Sequence, residues 1–103
     1  WGGGKVAAAV GAIEVSPGNP RSYDFLLTAL TGSKEWELGE KILREQLKKT
    51  PDQPMVPGHL GFALAKAGKL DEAAAFAQKA LAADPGADIA RKTLTLLRKK
   101  REA

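Results

Sequence analysis

Enzyme chemistry needs a nucleophile, a proton carrier or a metal cage, and this chain offers few side chains from which to build one. His59 is the one histidine and cysteine is absent, which removes disulfides, thiolate zinc sites and cysteine nucleophiles together. As a catalytic base, His59 would need a nucleophile or an orienting carboxylate within reach, and neither a nucleophile-elbow motif nor a metal-spaced partner accompanies it. It is expected to line a groove or to be a partly buried polar residue. Asp71 and Glu72 suggest paired carboxylates, but neighbours on a helix point about 100° apart and do not converge on one substrate atom. They read instead as complements to the positive end of a helix. Gly2-Gly3-Gly4 lacks the Lys-Ser/Thr ending of a phosphate loop and follows no strand, so it reads as a frayed start. No catalytic, metal-ligating or cofactor-binding residue is assigned, and the expectation is a protein that is not an enzyme.

The formal charge of +4 sits in one place. The last thirteen residues hold six basic side chains against Glu102, whereas the remaining ninety hold ten basic and eleven acidic. Basicity therefore belongs to the tail. Arg98-Lys99-Lys100-Arg101 there could touch nucleic-acid phosphates or an anionic surface with salt-sensitive affinity. The alternative is a solvating cap, since terminal repeats need a polar outer face and cations suit a helix C-terminus.

The elements that would position any site are set by a period. Pro17, Pro51 and Pro85 stand at a constant step of 34 residues, and the same step carries Leu26 to Leu60, Leu30 to Leu64, Ile13 to Leu47 to Leu81 and Ala9 to Leu43 to Ala77. This is the period of stacked helix pairs. Proline lacks an amide donor and pushes its predecessor out of helical geometry, so helices are expected to stop at Ser16, Thr50 and Asp84. The pattern predicts helices over about 3–15, 20–31, 34–49, one beginning near Pro54 and Pro57 and ending at Ala67-Gly68, one opening at Asp71-Glu72, and a last one over about 87–101. Ser33 is the expected N-cap of the third. On that helix Glu37 with Lys41, Glu40 with Arg44, and Glu45 with Lys49 predict a solvated face of i,i+4 ion pairs. Gly39, Gly61, Ala73, Ala77 and Ala80 are small where helix backbones must approach closely. Alternation is absent, and no strand is expected.

A chain of 103 residues, 44% hydrophobic and 27% charged, fits one globular domain with a modest core. No apolar run reaches the roughly 18 residues of a membrane span. The start, WGGGKVAAAVGAIEV, has neither initiator methionine nor secretory pattern, so a piece of a longer protein is expected. Alanine and glycine richness points by composition to a bacterial source. The compartment stays open between cytoplasm and periplasm.

The stretch GHLGFALAKAGKLDEAAAFAQKALAADP closely resembles the tetratricopeptide repeat (TPR): Leu60-Gly61, Leu64, Gly68, Leu70, Ala73, Ala77, Ala80-Leu81 and Pro85 stand where that family expects its leucine, small, apolar, turn and proline positions. Pro57 departs from the family's usual tryptophan. In the preceding repeat Tyr23, Leu26, Leu30, Trp36, Gly39, Leu43 and Pro51 fit, while Gln46 replaces a small alanine. The two repeats cover Pro20 to Pro85. The resemblance implies an all-α, right-handed superhelical array of antiparallel helix pairs with about six helices. Its parts are a half-repeat over 1–17, repeats over 18–51 and 52–85, and a capping helix over 86–103.

For function, the resemblance implies a scaffold whose concave groove, lined by the first helix of each pair, holds a protein segment or a partner's helix. Carried onto this chain, the groove positions are Arg21, Asp24, Phe25 and Thr28, then Met55, His59, Phe62 and Lys66, then Lys92, Leu96 and Lys99. Phe25 and Phe62 are candidate apolar anchors. Lys66, Lys92 and Lys99 are candidates to orient an acidic partner. A subgroup of the family grips C-terminal carboxylates with paired lysines and asparagines, but asparagine occurs here only at Asn19. A related class of helical repeats reads RNA base by base; the 34-residue period and the alanine and proline signature follow the protein-binding family instead. The apolar stripe of the first helix is a candidate surface for a second copy or for upstream repeats.

Overall fold

Each helix begins and ends for a reason visible in the chain. A computed structural model describes residues 4–102 and holds six helices and no strand among them: α1 (Gly4–Val15), α2 (Pro20–Ser33), α3 (Trp36–Lys49), α4 (Met55–Lys66), α5 (Leu70–Ala83) and α6 (Asp88–Glu102). Gly2 and Gly3 of the glycine run lie outside the described residues. Asn19 caps α2, its Oδ1 accepting from the Arg21 amide at 3.0 Å, with Pro20 in the first turn where a missing amide costs nothing. At α4, Pro54 stands at the cap without a side-chain bond and Pro57 lies in the first turn. Gly68, at φ +88°, turns the chain between α4 and α5 in the left-handed region that glycine enters freely.

The α2–α3 corner departs from expectation. Helix α2 runs past Gly32 through Ser33 and ends on Lys34, which takes the left-handed conformation at φ 61° and donates its amide to the Leu30 carbonyl. The turn is thus closed by a lysine although a glycine lies two residues earlier. Ser33 does not cap α3: its Oγ accepts weakly from the Glu35 amide at 3.4 Å, and Glu35 stands at the cap without a side-chain bond.

Helices of 12 to 15 residues are marginal alone, so packing must hold them. Consecutive helices pack on one another, and α4 lies at the centre, touching α2, α3, α5 and α6. The contacts between neighbouring helices run antiparallel: Leu30 against Gly39 between α2 and α3, Gly61 against Ala73 and Ala77 between α4 and α5, and the far end of α6 against the start of α5 through Arg101 and Asp71. One core joins Val6, Ala9, Val10 and Ile13 of α1 to Tyr23, Leu26 and Leu30, to Ile42 and Leu43, and to Val56, Leu60 and Leu64. A smaller alanine seam, Ala77, Ala80 and Ala90, closes α5 on α6. A Cβ on Gly61 would stand 3.2 Å from both the Ala73 carbonyl oxygen and the Ala77 nitrogen. That glycine therefore lets α4 and α5 touch backbone to backbone.

Two expectations about surfaces are corrected. The apolar stripe of α1 is not exposed: Val6, Ala9, Val10 and Ile13 are buried within the chain, leaving Val15, 85% exposed, as its large apolar surface residue. The face of α3 expected to be solvated is partly interior. Glu40 is buried, with Lys69 Nζ at 2.8 Å from its Oε1 and Arg44 Nε at 3.4 Å from its Oε2. Arg44 also reaches Glu72 on α5 at 2.5 Å. The reason is position, because α3 packs its Glu40 side toward the α4–α5 turn that carries Lys69. Glu45 pairs with Lys48, one residue short of the expected Lys49. Gln46 is accommodated in the interior by an exchange with Thr50, whose Oγ1 accepts from Gln46 Nε2 and donates to the Gln46 carbonyl, both at 3.0 Å.

Candidate partner-binding site

Helices α2, α4 and α6 meet around an open cleft of about 430 Å³. Asp24 and Leu27 of α2 form one wall, Met55, Gly58 and His59 of α4 the floor, and Asp84, Ile89 and Lys92 of the α5–α6 corner and α6 the other wall. Four of the expected residues, Asp24, Met55, His59 and Lys92, are thereby brought together. A second, shallower depression continues along α6 past Lys92, Leu96 and Lys99.

His59 is the most constrained residue of the cleft. It is 6% exposed, its ring lies 5.2 Å from that of Tyr23, and Nδ1 stands 2.8 Å from the Met55 carbonyl oxygen. A carbonyl only accepts, so Nδ1 carries the proton and donates, and Nε2 is left as an acceptor. Burial pushes the pKa of His59 below the ordinary histidine value, against the raising influence of the Met55 carbonyl and of nearby Asp24. Tyr23 is itself pinned, its hydroxyl donating to the Pro17 carbonyl at 2.7 Å. The imidazole is therefore oriented by its contacts, and burial favours its neutral form.

The remaining expected residues are dispersed. Phe62 and Lys66 lie at the far end of α4 with Trp36: the two rings meet edge to face at 5.8 Å, and Lys66 Nζ stands 5.7 Å from the Phe62 centroid and 5.9 Å from that of Trp36. Phe62 is half-buried in this contact and the Lys66 cation is held over both rings. Thr28 faces a separate groove beside Lys5 and Val6 of α1, and its hydroxyl donates back to the Asp24 carbonyl at 2.9 Å. Arg21 and Phe25 are exposed on α2, Phe25 at 37%, and line neither cleft. Phe25 and His59 are equivalent in the 34-residue register. The first is exposed and the second buried because α4 is flanked by α2 and α6.

Leu27, Gly58, Asp84, Asp88 and Ile89 line the cleft without having been expected there. The period contained the signal for some of them. A step of 34 carries Asp24 to Gly58 and then to Lys92, and carries Met55 to Ile89. Asp84 and Asp88 arrive from the corner before α6, where residue spacing on a helix gives no guide. Among the described residues no cluster of three or more histidine, aspartate or glutamate side chains is arranged to hold a metal ion, and no helix is long and apolar enough to cross a membrane. Compared with known proteins, the chain matches no family model and no curated protein.

Proposed function

We propose that this chain is a non-catalytic protein-interaction module, a TPR-like array of antiparallel helix pairs wound as a right-handed superhelix. Its face formed by α2, α4 and α6 holds a peptide segment or a partner's helix. The observation that carries the reading is the cleft itself: Asp24, Gly58 and Lys92, each 34 residues after the one before, line one depression. Apolar side chains, Leu27, Met55 and Ile89, share it with charged ones, the mixture suited to a segment with apolar anchors.

The test is selection of binders from a displayed random-peptide library, followed by calorimetric titration of the tightest. Met55→Lys, which puts a charge into the apolar wall, is expected to weaken capture by about tenfold or more, while Lys79→Glu on the exposed side of α5 changes it little. Equal losses from both variants, or a library that yields no binder, contradict the proposal. Binding through the basic end of α6 predicts the opposite behaviour: capture of nucleic acid that collapses with salt and disappears on truncation after Leu97.

A further inference from the structure

The cleft between α2, α4 and α6 constrains the chemistry of its occupant. Three aspartates, Asp24, Asp84 and Asp88, line it against one lysine, Lys92. Asp84 is partly engaged, its Oδ1 accepting from the Gly86 amide at 3.0 Å. Asp24 and Asp88 enter no ion pair among the described residues. The N-terminal end of α6 would favour an anion nearby, but Asp88 in its first turn already answers that partial charge.

A second feature points the same way independently of the carboxylates. His59 lines the floor at 6% exposure, Nδ1 is committed to Met55, and Nε2 has no partner among the described residues. His59 itself is one of the residues that line the cleft, and its Nε2 is the ring nitrogen left over once Nδ1 is bonded. A bare imidazole nitrogen is satisfied only by an incoming donor. A carboxylate brings none, whereas a guanidinium brings five in a planar fork. Leu27, Met55 and Ile89 supply apolar contact for the stem of such a side chain.

We infer that this cleft receives an arginine side chain of a protein partner, with His59 Nε2 and the free carboxylates of Asp24 and Asp88 accepting its donors. The inference rests on the reading of this face as protein-binding and specifies its polarity. It reverses the expectation that lysines here select an acidic partner, because Lys92 is outnumbered and Lys66 is engaged elsewhere.

The probes are three capped pentapeptides, Ala-Leu-Xaa-Leu-Ala with arginine, its neutral analogue citrulline or glutamate at the centre, titrated to about 1 mM, the weak end of specific binding. Amide spectra of the nitrogen-labelled chain report the contact. The arginine peptide is expected to move the amide resonances of Asp24, Gly58, His59 and Asp88. Asp24→Asn combined with Asp88→Asn, both exposed positions, weakens it by about tenfold or more. Equal or larger shifts with glutamate, an unchanged affinity in the double variant, or the same shifts produced by raising protein concentration without peptide, which would place a second copy's basic tail in the cleft, overturn the arginine assignment and leave the binding face standing. No movement with any of the three peptides removes the assignment and counts against the face as well.

Discussion

His59 is one histidine doing structural and electrostatic work at once, and its environment makes the fold sensitive to pH. Its folded pKa lies below 6.5, so as pH falls the unfolded chain takes up the proton first. Stability is full above that value and declines beneath it until the folded form also protonates. Glu40 adds a lower step. Burial raises its pKa, but the hydrogen bonds and charges of Lys69 and Arg44 outweigh that and bring it below 4.5. Its contribution is present above 4.5 and is lost as pH falls through the folded value. Melting temperature is therefore expected to drop in two stages on acidification. His59→Phe should flatten the stage that sets in as pH falls through the ordinary histidine value while keeping the lower one; an unchanged upper stage contradicts the assignment. Tyr23→Phe removes the bond to the Pro17 carbonyl and is expected to cost about 1 kcal/mol in urea denaturation. Gly61→Val forces a branched side chain against the backbone of α5, where no flexible atom can yield, and should cost roughly 1–3 kcal/mol.

At the level of elements, helix existence was legible because proline punctuation and apolar spacing agree. Each expected helix is present within a few residues of its predicted ends, and the small residues Gly39, Gly61, Ala73, Ala77 and Ala80 are all buried at helix contacts. What the spacing could not give was the side of a helix that a neighbouring turn would cover. Glu40 has the i,i+4 partner of an ordinary surface pair, and only the arrival of Lys69 from another corner makes it interior. The same limit applies to Asp84 and Asp88. The α2–α3 corner was misjudged for a local reason, because Gly32 offered a cheaper left-handed turn than the one Lys34 adopts. Left-handed geometry costs a non-glycine residue about 1–2 kcal/mol, and glycine gives back about 0.4–1 kcal/mol through the entropy of the unfolded chain. Lys34→Gly is accordingly expected to stabilise the fold by about 0.5 kcal/mol in denaturant unfolding. A loss of stability would show that the corner is not strained at this residue.

Across the whole molecule, the described residues extend 36 × 27 × 19 Å, with α4 enclosed and α2 and α6 on either side of it. That arrangement explains why matching positions in the period differ in exposure and why a cleft falls where α2, α4 and α6 meet. The resemblance supplied the idea of a face built from α2, α4 and α6, and residues of that face do line the cleft. It placed Phe62 and Lys66 among the contact residues, whereas the structure binds them to Trp36. The most direct test is a chemical-shift map of the labelled chain saturated with its tightest selected peptide. The account predicts movements concentrated at Asp24, Gly58, His59 and Lys92. Movements concentrated at Glu45, Lys48 and Lys79, with those four residues still, would contradict it.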